Sequence, residues 1–434
     1  MALAPSAPLA AAVFAVTIAV VIARPRRITE AAAALAGAAA MVVVGLVPPA
    51  EAVANVVDHW NILLFFLGLT GTAAVAERSG LFESLATRAV GMSGGRPRPL
   101  LIAIVVVGAV VTALLSNDAA ALVLTPVVFA IVTRLGLPPL PYVLACTYVA
   151  DAASLALPVS NPVNIVVSDR LGQNPAALIP VLLPAAVASV VALIACLLLV
   201  YRRTLPARAP ALNGMAADPA AAPLPIARRL AFAVAVAAFA IASLVNLPLG
   251  PTMTAVWLFL LAVERSTDQR EPGAGRRPGP FDGVGWSLLV FVGAMGILVD
   301  GLSGAGLTTW LADLILGPLR DAPAAVMVVS TAAAAIGANL ANNLPAAFVL
   351  ADAVHSSGLG PASVHAAAIG TIIGADLGPN LTPIGSVATL LCFVLLRQRG
   401  LVITPWSYIR VGLLVTPVTI LAALGVALLL GIPR

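Results

Sequence analysis

Three aspartates and a set of amides and hydroxyls stand inside a chain that is otherwise strongly apolar. Ser116, Asn117 and Asp118 interrupt the stretch 100–133. Asp151, Ser154, Ser160, Asn161 and Asn164 interrupt 141–168, and Asn342, Asn343, Asp376, Thr382, Ser386 and Thr389 interrupt 323–396. Such side chains can hydrogen-bond a polar solute or coordinate a cation. A carboxylate in a low dielectric can also carry a proton, because desolvation favours its neutral form. No arginine lies in 100–133, 141–168 or 323–394, and the chain has no lysine. An anionic substrate would be expected to want a cation there, although helix N-termini and bound sodium can substitute. The set is better suited to a neutral polyhydroxylated solute or to a cation.

The polar residues recur at an offset of 225, the distance from Asp151 to Asp376. At that offset Asn117 falls on Asn342, Asp118 on Asn343, Pro158 on Pro383, Asn161 on Ser386 and Asn164 on Thr389. This register points to a structural repeat with half a site in each copy. The segments Pro158–Pro162 and Pro379–Pro383 should break helices, since proline lacks the backbone donor and clashes with the preceding turn. The freed carbonyls and half-helix ends can then face a solute. Asp151 and Asp376 each lie seven residues, or about two helical turns, before the matched proline. Read singly, an asparagine at a tip is a helix cap, a buried aspartate a cap or an interfacial charge, and a proline a kink. Their repetition weighs against that reading.

These residues need a membrane to hold them. Of 434 residues, 61% are hydrophobic and 9% charged, where a soluble domain carries about 25% charged. The apolar segments suit helices crossing about 30 Å of hydrocarbon and not the alternating strands of a barrel. The net charge of +5 sits in arginine-bearing loops, so it reports topology rather than nucleic acid. Cys146, Cys196 and Cys392 lie far apart in apolar surroundings and imply no disulfide framework. They read as small packing residues, and His355 and His365 as loop residues.

Arginine placement orders the chain. It predicts an all-α polytopic protein of about ten transmembrane helices plus two re-entrant hairpins, arranged as two inverted repeats. Residues 1–204 form the N-terminal repeat, with a hairpin at 100–134 and a broken helix at 141–168. Residues 205–225, rich in Ala and Pro, form a cytoplasmic linker. Residues 226–434 form the C-terminal repeat, with a hairpin at 323–358 and a broken helix at 364–396. Two full spans joined by an external turn would also satisfy the charges at 100–134, but would leave the Asn117–Asp118 pair merely in a loop. Irregular backbone at mid-membrane must be buried in protein or line a cavity. Residues 5–23 read as a retained span, and both termini are expected outside.

The segments Ser116–Pro126, Ala150–Asp169 and Gly374–Thr389 resemble the ArsB-type arsenite efflux permeases of the ion-transporter superfamily. Asn117-Asp118-Ala119-Ala120-Ala121 is similar to that family's first tip, and Asn342-Asn343-Leu344-Pro345 to the second. Asp151 through Val166 and Asp376 through Leu390 resemble its two broken helices, and the likeness extends more loosely over nearly the whole chain. The resemblance implies a multi-pass protein of a prokaryotic inner membrane. It would export arsenite and antimonite in exchange for protons, without a cofactor or resident metal. Substrate binding would fall to Ser116, Asn117, Asp118, Ser154, Ser160, Asn161, Asn164, Asn342, Asn343, Thr382, Ser386 and Thr389. Proton coupling would fall to Asp118, Asp151 and Asp376. Arsenite at neutral pH is an uncharged trihydroxide, which such groups suit. Members work alone or with a soluble ATPase subunit. The chain departs from a common family pattern at Asn380, where a lysine is expected.

Other classes fit less well. No Walker A motif makes the chain an ATP-driven pump, and no nucleophile–base set suggests an enzyme. An intramembrane protease using Asp151 and Asp376 would leave the inverted hairpins without a role. The competing transporter reading is a sodium/proton antiporter or a sodium-coupled anion carrier of the same superfamily.

Overall fold

The computed structural model describes residues 3–25, 28–94, 96–206, 224–245, 247–267 and 278–431. Most of the expected linker, 207–223, lies outside them, as do Arg26, Arg27, Arg208, Arg270, Arg276 and Arg277. The described residues are helical, with no strand.

The first half comprises α1 (Ala7–Ala23), α2 (Glu30–Val43), α3 (Pro49–Asp58), α4 (Trp60–Arg78) and α5 (Leu81–Ser93). A hairpin of α6 (Pro97–Leu114) and α7 (Asn117–Arg134) follows. Then come α8 (Leu140–Ala152), a break, α9 (Pro162–Arg170) and α10 (Pro175–Val200). The second half comprises α11 (Ile226–Leu244), α12 (Leu249–Ser266), α13 (Trp286–Gly304) and α14 (Leu307–Ile315). Its hairpin is α15 (Pro323–Ala341) and α16 (Asn343–His355). It ends with α17 (Pro361–Leu377), a second break, α18 (Val387–Gln398) and α19 (Pro405–Leu430). Eight helices among the described residues are long and apolar enough to cross a membrane. Proline in the first turn starts α6, α8, α9, α10, α15, α17 and α19, where its missing donor is harmless.

The breaks repeat closely. A short 3₁₀ turn covers Pro158–Ser160 in one copy and Pro383–Gly385 in the other, at the offset of 225. Each is bounded by extended residues: Leu157 and Asn161 in the first, Thr382 and Ser386 in the second. The hairpin tips depart from that offset by one residue. Ser116 caps α7 with its hydroxyl, and its structural counterpart is Asn342, which caps α16 with its carboxamide. Asn117 therefore corresponds to Asn343 in place.

The copies run in opposite directions. Trp60, at the start of α4, follows His59, which pairs with Asp169. Arg78, at the other end of α4, meets Glu264 at 3.0 Å and the carbonyl of Asp282, just before α13 begins. Asp300, near the far end of α13, meets Arg170 beside Asp169. Thus α4 and its counterpart α13 cross in opposite senses. One face carries Arg78, Glu264 and the Arg98–Arg202 contact. The other carries His59, Arg170, Asp300 and the His365–Gln173 contact.

Two bodies of helices result. In one, α1, α2 and α13 pack together and α4 packs on α12. Gly68 and Gly71 make the second pairing close: a β-carbon at Gly68 would fall 2.4 Å from the Met253 backbone, and one at Gly71 2.4 Å from the Trp257 ring. In the other body, α15 lies on α17, α10 on α19 and α6 on α8. There Gly370 and Gly374 of α17 and Gly378 just past its end line one stripe. Added β-carbons would strike Met327 O at 2.3 Å, Thr331 O at 2.1 Å and Ala335 Cα at 2.6 Å on α15. Small residues at this spacing let membrane helices approach backbone to backbone. Between the bodies lies an apolar cavity of about 230 Å³, walled by Leu114, Leu157 and Pro158 on one side and Phe239, Met253 and Val256 on the other.

Candidate functional site

Asp151 lies eleven residues along α8, about 16 Å from its start, near the middle of a hydrocarbon layer of about 30 Å. The first tip reaches this depth, because Asn117 lies beside the Asp151 carboxylate. Asn117 Oδ1 also accepts from the Asp118 amide at 2.9 Å, and Ser116 Oγ from the Ala119 amide at 3.1 Å. Directly after the tip, Ala120–Leu124 form a π-helical turn within α7. Such single turns recur at functional sites, and no residue in the sequence announces this one.

The two breaks meet through one contact. Asn161 Nδ2 donates to Asp376 Oδ1 at 2.9 Å, while Asn161 Oδ1 caps α9 by accepting from the Val163 amide at 3.1 Å. Ser154 lies beside the Asp376 carboxylate and donates to the Asp151 carbonyl at 2.8 Å. Asp151 and Asp376 are both buried and within electrostatic range of each other. Each keeps one carboxylate oxygen (Oδ2) without a hydrogen-bond partner. Asp118 is also within range of Asp151, but its side chain is exposed. The structure therefore gathers Asn117, Asp118, Asp151, Ser154, Asn161 and Asp376 into one cluster.

Other expected residues hold the backbone. Asn164 Nδ2 donates to the Ser154 carbonyl at 2.7 Å and to the Leu157 carbonyl at 2.9 Å, tying down the first break. Ser160 accepts from the Leu157 amide and donates to the Ala113 carbonyl, both at 3.1 Å. Thr382 donates to Asn339 Oδ1 at 2.7 Å. Asn342 and Asn343 accept from the Leu344 amide, and the two tips share no hydrogen bond among the described residues. Ser386 and Thr389 are buried at the start of α18.

Several polar positions that hold this region together escaped the sequence reading. Asn339 fastens the second break by donating to the Gly378 carbonyl at 2.8 Å. Asn380, at the position where a lysine was expected, is fully buried. It donates to the Tyr148 carbonyl at 3.1 Å and accepts from Tyr408 Oη at 3.4 Å. Tyr148 and Tyr408 stack with centroids 4.7 Å apart. Arg170, two residues past the arginine-free stretch 141–168, is nearly buried between Asp300 and Asp352. The signal was present, since both aspartates interrupt apolar helices.

Residues 13–374 match the family described as citrate transporter (CitMHS). The arsenical pump membrane protein of Escherichia coli K12 is 33% identical over 418 residues, covering 94% of this chain and 95% of that one. That of Yersinia enterocolitica is 33% identical over 440 residues, covering 98% and 99%. The chain belongs to the arsenical pump membrane proteins of the citrate transporter family. The fold of this family member is also that of a solved transporter. The Alcanivorax borkumensis YdaH transporter superposes with a TM-score of 0.56 at 18% identity, covering 88% of this chain and 86% of that one. The chain is thus an all-helical membrane transporter of the ion-transporter fold.

Proposed function

We propose that this chain exports arsenite and antimonite from the cytoplasm in exchange for protons, by alternating access. The observation that carries the reading is the buried cluster of Asp151 and Asp376 with Asn117, Ser154 and Asn161 where the two repeats meet, with the exposed Asp118 at its edge. Amides and hydroxyls suit a neutral trihydroxide of As(III) or Sb(III). Ser116, Ser160, Asn164, Asn342, Asn343, Thr382, Ser386 and Thr389 complete the set by shaping the tips and breaks. The free oxygens of Asp151 and Asp376 are the natural places for a transported proton. The names of the relatives, arsenical pump membrane proteins, support the substrate.

The arginine-rich face is cytoplasmic in this reading, which puts both termini outside and the domains at 1–204 and 226–434 in inverted orientation. Asp118 is exposed and lies within electrostatic range of Glu30, which pairs with Arg24 on that face. In this reading Asp118 is the part of the site nearest the cytoplasmic face. A proton gradient is the driving force in this reading, and a soluble ATPase subunit would be a further partner.

The family description, citrate transporter, favours a second reading: a sodium-coupled carrier of an organic anion. The nearly buried Arg170 is engaged by Asp300 and Asp352, which leaves it poorly placed to bind a carboxylate. Everted vesicles in sodium-free buffer separate the two. Arsenite uptake driven by a proton gradient and abolished by an uncoupler is expected. No arsenite uptake there, with citrate moving once sodium is restored, would overturn the proposal.

A further inference from the structure

The face opposite the arginine-rich loops is closed by a cluster that the substrate site does not use. Arg170, the last residue of α9, places Nη1 3.2 Å from Asp300 on α13 and 3.5 Å from Asp352 on α16. Its guanidinium lies 5.4 Å from the centroid of the Phe348 ring, also on α16. Asn55 on α3 donates to the other oxygen of Asp300. Gly296 on α13 makes the room: a β-carbon there would stand 2.5 Å from Asn55 Oδ1 and 3.2 Å from Arg170 Nη2.

The membership of these residues is informative. Asp300 and Asn55 belong to the α1, α2, α3 and α13 side. Arg170, Asp352 and Phe348 belong to the side of the breaks and hairpins, where α9 packs on α16. Parting the two bodies at this face must separate Arg170 from Asp300. Arg170 would keep Asp352 and the Phe348 ring. An arginine buried without a partner is heavily penalised, and the second aspartate removes that penalty from the open state.

We infer that Arg170 is the bolt of a gate at this face, with Asp300 and Asn55 as its fixed catch and Asp352 as the partner that carries it when the gate opens. The inference rests on the alternating-access reading but not on the substrate. It makes a signed prediction. Loss of the catch frees the bolt, whereas loss of the carrier leaves Arg170 only Asp300 and holds the gate shut. A general structural role would move both the same way.

The test uses the full-length protein in membranes. Ile165 on α9 is 4% exposed and lines a cavity of about 440 Å³ shared with Asn61, Ile62 and Phe65 of α4. The three native cysteines are buried. In an Ile165→Cys background, a membrane-impermeant maleimide is added at the face bearing Asp300. Asp300→Asn should label on the order of tenfold faster than the background, within the usual range for a coupling between states, and Asp352→Asn more slowly. A shift of the same sign in both, or none in either, overturns the gate. Should Asp300→Asn fail to reach the membrane, Asn55→Ala takes its place: faster labelling supports the catch and unchanged labelling removes it. Labelling needs no arsenite, so a failed transport assay with the expected labelling would discard the substrate and keep the gate.

Discussion

Asn161 and Asp376 are 215 residues apart in sequence and 2.9 Å apart in space, and their hydrogen bond joins the broken helix of one repeat to that of the other. The same asparagine caps α9, so the orientation of a half-helix and the hydrogen bonding of a buried carboxylate depend on one side chain. Removing it with Asn161→Ala strips the carboxylate of its donor. A bond to a charged group contributes about 1.5–3 kcal/mol, or roughly tenfold to a hundredfold in an equilibrium. Arsenite uptake into everted vesicles should fall by that order while membrane insertion persists. Unchanged uptake would remove Asn161 from the site.

Asp118→Asn, Asp151→Asn and Asp376→Asn keep side-chain size and remove the titrating group. Each should abolish or strongly reduce proton-driven arsenite uptake and leave the amount of protein in the membrane unchanged. Full gradient-driven transport in all three would end the assignment of proton carriage to these aspartates.

Asn342 sits at φ 79°, ψ 157°, a region almost confined to glycine and penalised by about 1–3 kcal/mol for other residues. Asn342→Gly relieves the strain and loses only a few tenths of a kcal/mol of capping, so thermal stability in detergent should rise. Transport should drop nonetheless, because the carboxamide at the tip is gone. Asn342→Ala keeps the strain and loses the cap, and should lower both. A Gly variant that is less stable would mean that the strain is absent.

Tyr148, Tyr408 and Asn380 lock the second break to α8 and α19. Asn380→Leu leaves the buried Tyr148 carbonyl without that donor, at about 1–3 kcal/mol. The expected result is a lower melting temperature with arsenite affinity little changed, read by thermal shift and by the substrate dependence of uptake. A large affinity loss at unaltered stability would move Asn380 into the binding set.

The breaks, their offset and the membrane class were legible because Asp151, Asn161, Pro158 and their counterparts are rare residue types in an apolar background. The tips were legible in kind but not in register. The one-residue slip between Ser116 and Asn342 is set by which side chain caps the returning helix. The Arg170 cluster was not read because its partners lie 130 and 182 residues away, on segments whose proximity only the packing defines. Asn339 and Asn380 escaped for a related reason: each bonds a backbone carbonyl, Gly378 at the break and Tyr148 in α8, and carbonyls have no signature in residue type.

The stripe of Gly370, Gly374 and Gly378 has no equal in the first copy, where the matching positions of α8 are Ala145, Val149 and Ala153. The second hairpin arm and its broken helix therefore meet backbone to backbone, while in the first pair Gly108 of α6 makes room for the Val149 side chain of α8. The near-symmetric halves are therefore unequal in packing: one pair is joined backbone to backbone, the other through side chains.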